Sequence, residues 1–157
     1  MTPPRTVRPA SGEPVADIAV RSADLRGISI DENQVSVAID EFPAIAIAAA
    51  VAHGRTAVSG AGELRVKESD RIEAMVTGLR AIGVQAGETP DGMIVEGGRI
   101  AGGRVDSRGD HRIAMAFAMA GLCAARTIRI ADCRNVNTSF PGFADLARDA
   151  GLRIETC

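Results

Sequence analysis

An internal repeat with an offset of about 70 residues constrains the fold of this chain more than any other sequence feature. An Ala-rich apolar segment follows Asp40, and a second one follows Asp110. Gly83 and Gly151 end the amphipathic segments that come later in the two copies. Strand-like and helix-like stretches alternate between these points, which predicts an α/β fold of repeated β-α-β-α-β-β units. We assign the units to about 14–98 and 99–157, after a lead-in at 1–13 that is predicted to be disordered.

The two units are predicted to contain helices of two kinds. Those at 43–53 and 111–124 are apolar on every side, so they should be enclosed by other elements. Their many Ala residues would let them pack closely, with their N-termini side by side at one face. Amphipathic helices are predicted at 70–82 and 141–150, and strands at 15–20, 25–30, 55–59, 84–86, 93–96, 104–106, 127–131 and 152–155.

A densely charged segment, ELRVKESDRIE at 63–73, leads into the first amphipathic helix. Asp70 stands at the predicted N-cap, with capping-box spacing to Glu73. A helix N-terminus attracts anions through its free N–H groups and its dipole. If this turn is helical, Lys67 and Arg71 lie on one face and repel each other unless an anion lies between them. Taken alone, the segment also fits a solvated, capped helix start.

Two further helix starts carry acidic groups, and one of them also carries a cation. The tripeptide DHR at 110–112 directly precedes the apolar run 113–125, and Asp40 precedes the Ala-rich segment that begins near Pro43. Plain helix capping would account for the carboxylates. Arg or Lys at two of the three starts instead favours one shared anionic ligand.

The chain resembles the 5-enolpyruvylshikimate-3-phosphate synthase family in four stretches: IDEFP at 39–43, LRVKESDRI at 64–72, DHRIAM at 110–115 and SFPGF at 139–143. The variants are similar to the bacterial class II branch, and the match covers about the C-terminal third of such an enzyme. The resemblance implies part of an inside-out α/β barrel lobe, in which each lobe has three repeat units. The N-terminal lobe, with its own substrate contacts, would then be a partner that this chain lacks.

The resemblance also implies a reaction. Members of this family are transferases of the shikimate pathway, which leads to chorismate and the aromatic amino acids. They move enolpyruvyl from phosphoenolpyruvate to the 5-hydroxyl of shikimate 3-phosphate and release phosphate, without a metal or an organic cofactor. By motif, Asp40 would contact the shikimate hydroxyls and accept a proton, and Lys67 would contact the same region and the leaving phosphate. Glu68 would transfer the proton at the enolpyruvyl carbon, while Arg71 and Arg112 would bind phosphoenolpyruvate.

Other residues near these motifs have structural interpretations. His111, Arg65 and Asp70 are predicted to be a helix-start partner, an ion-pair residue and a cap, and Asn135 and Asn137 to be polar loop groups.

Two positions depart from the family pattern. Some members have Lys where Thr138 stands and Asn where Glu63 stands, so neither position is assigned a ligand.

The amino-acid composition argues against several other functions. The net charge of −2 and the absence of Trp and Tyr argue against a nucleic-acid or membrane surface. The three cysteines have no metal-binding spacing, and Cys123 is predicted to be a buried apolar residue. An odd number of cysteines fits a reducing compartment. The longest apolar run, 113–125, is too short to span a bilayer. We therefore expect a cytoplasmic location.

Three functions remain open at this stage. The first is a synthase fragment that folds but does not catalyse alone. The second is a relative of the enolpyruvyl transferase that acts on UDP-N-acetylglucosamine. The third is a short protein that has lost catalysis and serves as a binding module.

Overall fold

The computed structural model describes residues 6–7 and 15–156. Strand β1 (Thr6–Val7) pairs antiparallel with β2 (Val15–Ala16). The rest of the lead-in at 1–13, predicted to be disordered, lies outside the described residues. Within those ranges, none of the helices has the length and apolar character needed to cross a membrane.

The first repeat unit contains the predicted helices and hairpin, shorter versions of its first two strands, and an additional helix, α1. Its strands form a four-stranded sheet in the order β3-β4-β6-β5, in which β3 and β4 are parallel and the other pairs are antiparallel. The elements are β3 (Ser29–Ile30), α1 (Glu32–Val37), a 3₁₀ turn (Ile39–Glu41), α2 (Phe42–Val51), β4 (Arg55–Val58), a 3₁₀ turn (Gly62–Val66), α3 (Arg71–Ala81), β5 (Gln85–Thr89) and β6 (Gly92–Glu96).

The second unit stops short of the predicted pattern. It consists of β7 (Gly103–Asp106), α4 (His111–Ala120), β8 (Ile128–Ala131), α5 (Asn135–Ser139) and α6 (Phe143–Asp149), with β7 and β8 parallel. The strand predicted at 152–155 is wrong, because no other described segment pairs with it. Leu152 instead buries its side chain against Ala118 and Ala147.

Two further strand predictions and one helix prediction need correction. Residues 17–20 have no regular structure, and Ile18 and Val20 are exposed. The strand at 25–30 is reduced to Ser29–Ile30 and a bridge between Arg26 and His53. The helix predicted at 141–150 begins at Phe143. Leu25, Gly27 and Ile28 still exchange backbone hydrogen bonds with His53 and Ala57, so this stretch keeps a neighbour on one side although its regular strand is short.

The core is centred on α3 rather than on the Ala-rich helices. Ile72, Met75, Val76 and Leu79 of α3 are fully buried, and α3 contacts α2, α4, β5, β6 and β7. Helices α2 and α4 pack against each other, but Ala48 of α2 is exposed. The expectation that the apolar helices are enclosed on all sides is therefore wrong for this chain, although each does bury one face in the core.

Cys123 is exposed, contrary to the prediction that it is a buried apolar residue. Helix α4 ends at Ala120, earlier than the sequence suggests, and Gly121 follows as its C-cap. Cys123 therefore lies in the turn beyond the helix, outside the helical face that packs on the core.

Gly92 provides a test of the sheet packing. A Cβ at this position would overlap the carbonyl oxygen of Val58 on the neighbouring strand β4. Gly92→Ala should therefore force the strands apart and cost about 1–3 kcal/mol, as other overpacked sites do. Urea denaturation of the variant beside the wild type measures this cost.

The matched control is Gly87→Ala on the partner strand β5, where a Cβ would meet nothing within 4 Å. That substitution should be neutral or stabilise by up to about 1 kcal/mol, since Ala restricts the unfolded chain. Equal stability of the two variants would contradict the close approach of β4 and β6.

Candidate functional site

The starts of three helices meet at one face of the protein. Asp40 lies in the 3₁₀ turn before α2, Arg71 is the first residue of α3, and Asp110 is the N-cap of α4. Helix α2 packs on α4, and α3 contacts both. The helix starts are distant in the sequence, but this packing brings their charged side chains within hydrogen-bonding distance.

Arg71 is the centre of this cluster. Its side chain is only 3% exposed. Its Nε donates to Oδ2 of Asp110 at 2.8 Å, and its Nη1 donates to Oδ1 of Asp40 at 2.9 Å. Burial alone would lower the pKa of Arg71, but the hydrogen bonds to Asp110 and Asp40 outweigh it and raise the pKa. Arg71 therefore stays charged and links the starts of all three helices.

Asp110 is fully buried and has two structural tasks. Its Oδ1 caps α4 by accepting from the N–H groups of Arg112 at 2.9 Å and Ile113 at 3.4 Å. Its Oδ2 accepts from Arg71 and, at 3.2 Å, from the hydroxyl of Ser69. Sequence reasoning recognised the acid before the helix but did not identify Asp110 as the buried partner of Arg71. The two residues are 39 positions apart in the sequence, so no local signal indicates that pairing.

Arg112 and Asp40 form the open side of the cluster, with side chains 36% and 44% exposed. Nη1 of Arg112 donates to the backbone oxygen of Asp40 at 3.1 Å, and its Nη2 lies 3.5 Å from Oδ2 of the same residue. The hydrogen bond from Arg71 is the main cause of a lowered pKa at Asp40. Partial burial opposes the shift, while the charges of Arg112 and Lys67 reinforce it.

Lys67 does not share a helical face with Arg71, because the turn that would place them on one face is not helical. It follows the 3₁₀ turn in an extended conformation, and α3 begins only at Arg71. Its Nζ pairs with Oε1 of Glu63 at 2.7 Å. The charge of Lys67 nevertheless contributes to the lowered pKa of Asp40, so it acts on the same site.

Glu68 contacts His111 rather than the neighbouring cations. Its Oε2 lies 2.9 Å from Nδ1 of His111, and the carboxylate accepts a hydrogen bond in the tautomer that carries its proton on Nδ1. Glu68 is about half exposed, while the His111 side chain is 16% exposed. His111 is at the helix start as predicted, but its contact with Glu68 across 43 residues was not foreseen.

Glu68, Asp110 and His111 each have one potential metal-ligand atom, and these atoms lie within 4.8 Å of one another. Protein donors already use both oxygens of Asp110, and one of those donors is the cation Arg71. The His111 nitrogen that faces Glu68 is likewise engaged in their contact. These three side chains are therefore better suited to a hydrogen-bonded network than to binding a metal ion.

The remaining candidate positions lie on helix α5 and beside the start of α3. Asn135 and Asn137 belong to this helix rather than to a loop, which corrects the prediction. The Nδ2 of Asn135 donates to the backbone oxygen of Gly109, next to the N-cap of α4. Thr138 is exposed on α5. Arg65 pairs with Asp70 and Glu88, and Asp70 caps α3 by accepting from the Glu73 N–H at 2.9 Å.

The lowered pKa of Asp40 gives a testable dependence of stability on pH. A carboxylate whose pKa is depressed on folding stabilises the fold above its unfolded pKa, and that stabilisation is lost as the pH falls through the folded value. Asp40→Asn should thus be less stable than the wild type at about pH 6, by about 0.5–1 kcal/mol for a half-exposed group. The difference should vanish well below about pH 4, where wild-type Asp40 is also neutral.

Urea unfolding of both proteins over this pH range measures the difference. All other carboxylates titrate in both proteins, so the comparison isolates Asp40. A difference that stays constant down to the lowest pH would contradict the ion pair with Arg71.

The fold and the charged site together define an α/β protein of the enolpyruvyl transferase type. The family model for EPSP synthase (3-phosphoshikimate 1-carboxyvinyltransferase) matches residues 6–146. The chain therefore belongs to the EPSP synthase family. This confirms the predicted family and does not favour the UDP-N-acetylglucosamine alternative.

Relatives and solved structures agree with this assignment. The chain is 60% identical over 148 residues to a 3-phosphoshikimate 1-carboxyvinyltransferase of Methylococcus capsulatus, which covers 94% of this chain and 34% of that protein. A protein of the same name from Nitrosococcus oceani is 62% identical over 143 residues, or 91% of this chain and 32% of that protein. The EPSP synthase structure from Acinetobacter baumannii superimposes with a TM-score of 0.91 at 49% identity, covering 98% of this chain and 37% of that chain. The chain thus spans about a third of the length of the relatives it matches.

Proposed function

We propose that this chain forms part of the active site of a 3-phosphoshikimate 1-carboxyvinyltransferase. The observation that carries the proposal is the meeting of Asp40, Arg71 and Arg112 from three separate helix starts, with Lys67 and Glu68 on the adjoining segment. The reaction requires cations for a phosphate and a carboxylate, a base for a hydroxyl, and a group that transfers a proton at carbon. This small face offers a side chain for each task.

The cations differ in how readily an anion can reach them. Arg112 is partly exposed. Its guanidinium donates to the backbone oxygen of Asp40 and lies 3.5 Å from the carboxylate of the same residue, so it can meet the phosphoenolpyruvate anion first. Lys67 is paired with Glu63, which is largely exposed, and can exchange that partner for a phosphate oxygen. Arg71 is buried and its Nη1 is paired with Asp40, so a ligand that takes over this nitrogen must displace the Asp40 carboxylate.

That displacement would activate Asp40 as a base. While Arg71 donates to it, Asp40 has a lowered pKa and is a weak proton acceptor. A substrate anion that takes over the charge of Arg71 and Arg112 would remove this stabilisation and raise the basicity of Asp40. The 5-hydroxyl of shikimate 3-phosphate could then lose its proton to Asp40 as it attacks phosphoenolpyruvate.

Glu68 is the proposed proton-transfer group at the methylene carbon of phosphoenolpyruvate. It is accessible to a ligand, and its contact with His111 fixes one carboxylate oxygen. The second oxygen is then free to face the substrate. Proton transfer by a positioned carboxylate typically contributes about 10²–10⁴ in rate.

The other two thirds of a family-length enzyme would supply the remaining substrate contacts and the closure that excludes water. We therefore expect the 157-residue chain alone to bind anions without turning over substrate. A cytoplasmic location, where such a biosynthetic transferase would meet its substrates, is part of the same proposal.

A chimera tests the function directly. This chain would replace the matching 148 residues of the Methylococcus capsulatus relative, with which it shares 60% identity. The purified chimera should release phosphate from phosphoenolpyruvate only when shikimate 3-phosphate is present. A folded chimera that released none would contradict the proposed function.

A further inference from the structure

Arg65 lies outside the proposed site, and its side chain makes four hydrogen bonds, as many as that of the buried Asp110. Its Nε donates to the backbone oxygen of Pro90 at 3.0 Å, and its Nη2 donates to that of Thr89 at 2.7 Å. Its Nη1 donates to Asp70 at 2.8 Å and to Glu88 at 3.1 Å. All three guanidinium nitrogens are therefore used, and the side chain is only 26% exposed.

These contacts join the β5–β6 turn to the segment 62–70, which carries Lys67 and Glu68. Thr89 and Pro90 belong to the turn, while Asp70 closes the segment as the N-cap of α3. The same turn holds the start of the segment, because Asp91 accepts from Gly60 N–H at 2.7 Å through its side chain. The turn thus holds the chain just before the segment through Asp91 and at its middle through Arg65, and Arg65 in turn binds Asp70 at the segment's end.

The segment has attachments other than those to the turn. Leu64 is fully buried, but Val66 is 79% exposed and Lys67 follows it in an extended conformation. The far end of the segment is held by Ser69, which donates to Asp110, and by Glu68, which contacts His111. The apolar core fixes Leu64, and the polar contacts of Arg65 orient the stretch that leads into Lys67. The planar guanidinium group suits this task because it directs several donors rigidly at once, which an ammonium group cannot do.

We infer that Arg65, held against the β5–β6 turn, is a positioning residue that fixes Lys67 and Glu68 for the reaction. It touches no substrate and acts through the backbone of 62–70 and through Asp70. The inference rests on the proposed function for its kinetic consequence, whereas its structural part can be tested without any turnover.

The structural test uses Arg65→Lys in the 157-residue chain, followed by amide hydrogen exchange. Lys keeps the charge but cannot reach the four acceptors together. Amides of the segment 62–70 should exchange at least about tenfold faster, while those of Ile72 to Leu79 in α3 stay unchanged. Arg80→Lys is the matched control, because Arg80 uses a single hydrogen bond to the Ala86 backbone oxygen on the same hairpin. It should leave segment 62–70 unaffected.

The kinetic test places both variants in the chimera. Arg65→Lys should lower kcat at least about tenfold, with a smaller change in the KM for phosphoenolpyruvate, since Glu68 transfers its proton only in the transition state. Arg80→Lys should keep the wild-type kcat. If amide exchange rose throughout the chain and kcat stayed unchanged, Arg65 would be a general stabiliser and the inference would be overturned. The inference would also be overturned if neither the exchange rates nor kcat changed. An inactive wild-type chimera would refute the proposed function, and the exchange result would still decide whether Arg65 holds the segment.

Discussion

Arg71→Met is expected to destabilise the protein by about 3–5 kcal/mol, because it leaves a buried carboxylate without its cation. Asp110 is fully buried and depends on Arg71 for its charged partner. A loss of this size is a large part of the total stability of a typical domain, about 5–15 kcal/mol. Chemical denaturation at neutral pH measures it, and the variant should unfold at a much lower urea concentration.

Two further variants test whether the loss of stability comes from the unpaired, buried carboxylate of Asp110. Arg108→Met breaks an ion pair with Glu73 in which both side chains are well exposed, so it should cost no more than about 1 kcal/mol. Adding Asp110→Asn to Arg71→Met should restore part of the stability, since Asn removes the charge and can still cap α4. A loss below about 1 kcal/mol for Arg71→Met alone would show that Asp110 is not buried as a carboxylate.

Glu68→Gln in the chimera is expected to lower kcat by about 10²–10⁴ with little change in KM. Gln keeps the shape of the side chain and can still hydrogen-bond to His111, but it cannot accept or deliver the proton at the methylene carbon. Steady-state phosphate release at saturating concentrations of both substrates gives kcat.

Glu73→Gln is the control for the loss of a carboxylate near the same helix start. Glu73 pairs with Arg108 and has no role in the proposed chemistry, so kcat should stay within about twofold of the wild type. A wild-type kcat in Glu68→Gln would remove Glu68 from the mechanism and leave proton transfer to another group.

Local sequence signals predicted most of the first repeat unit. The apolar period of α3, the Pro near the start of α2 and the turn between β5 and β6 all act over a few residues, and the structure confirms each element. The capping box of Asp31 and Gln34 is an equally local signal that was overlooked, so α1 was missed. The strand at 152–155 failed for a different reason, because pairing depends on a neighbour that its own residues do not specify.

The residues of the candidate site could be predicted from the sequence, but the ion pairs and hydrogen bonds between them could not. Acids and cations at helix starts can be read locally, and this identified Asp40, Arg71 and Arg112 as candidates. Which carboxylate each cation meets depends on how the helices cross. The contacts of Arg71 with Asp40 and of Glu68 with His111 join residues 31 and 43 positions apart. The burial of Arg71 likewise follows from tertiary packing alone.

Titration of the 157-residue chain with shikimate 3-phosphate, phosphoenolpyruvate and inorganic phosphate, followed by NMR, tests the central claim most directly. The claim is that three helix starts form one anion site. We predict saturable shifts at the guanidinium groups of Arg71 and Arg112 and at the backbone of 67–71 and 110–113. Binding in this open half-site should be roughly millimolar, about 4 kcal/mol. Shifts scattered over exposed cations such as Arg104 and Arg126, with none at Arg71 or Arg112, would contradict the claim.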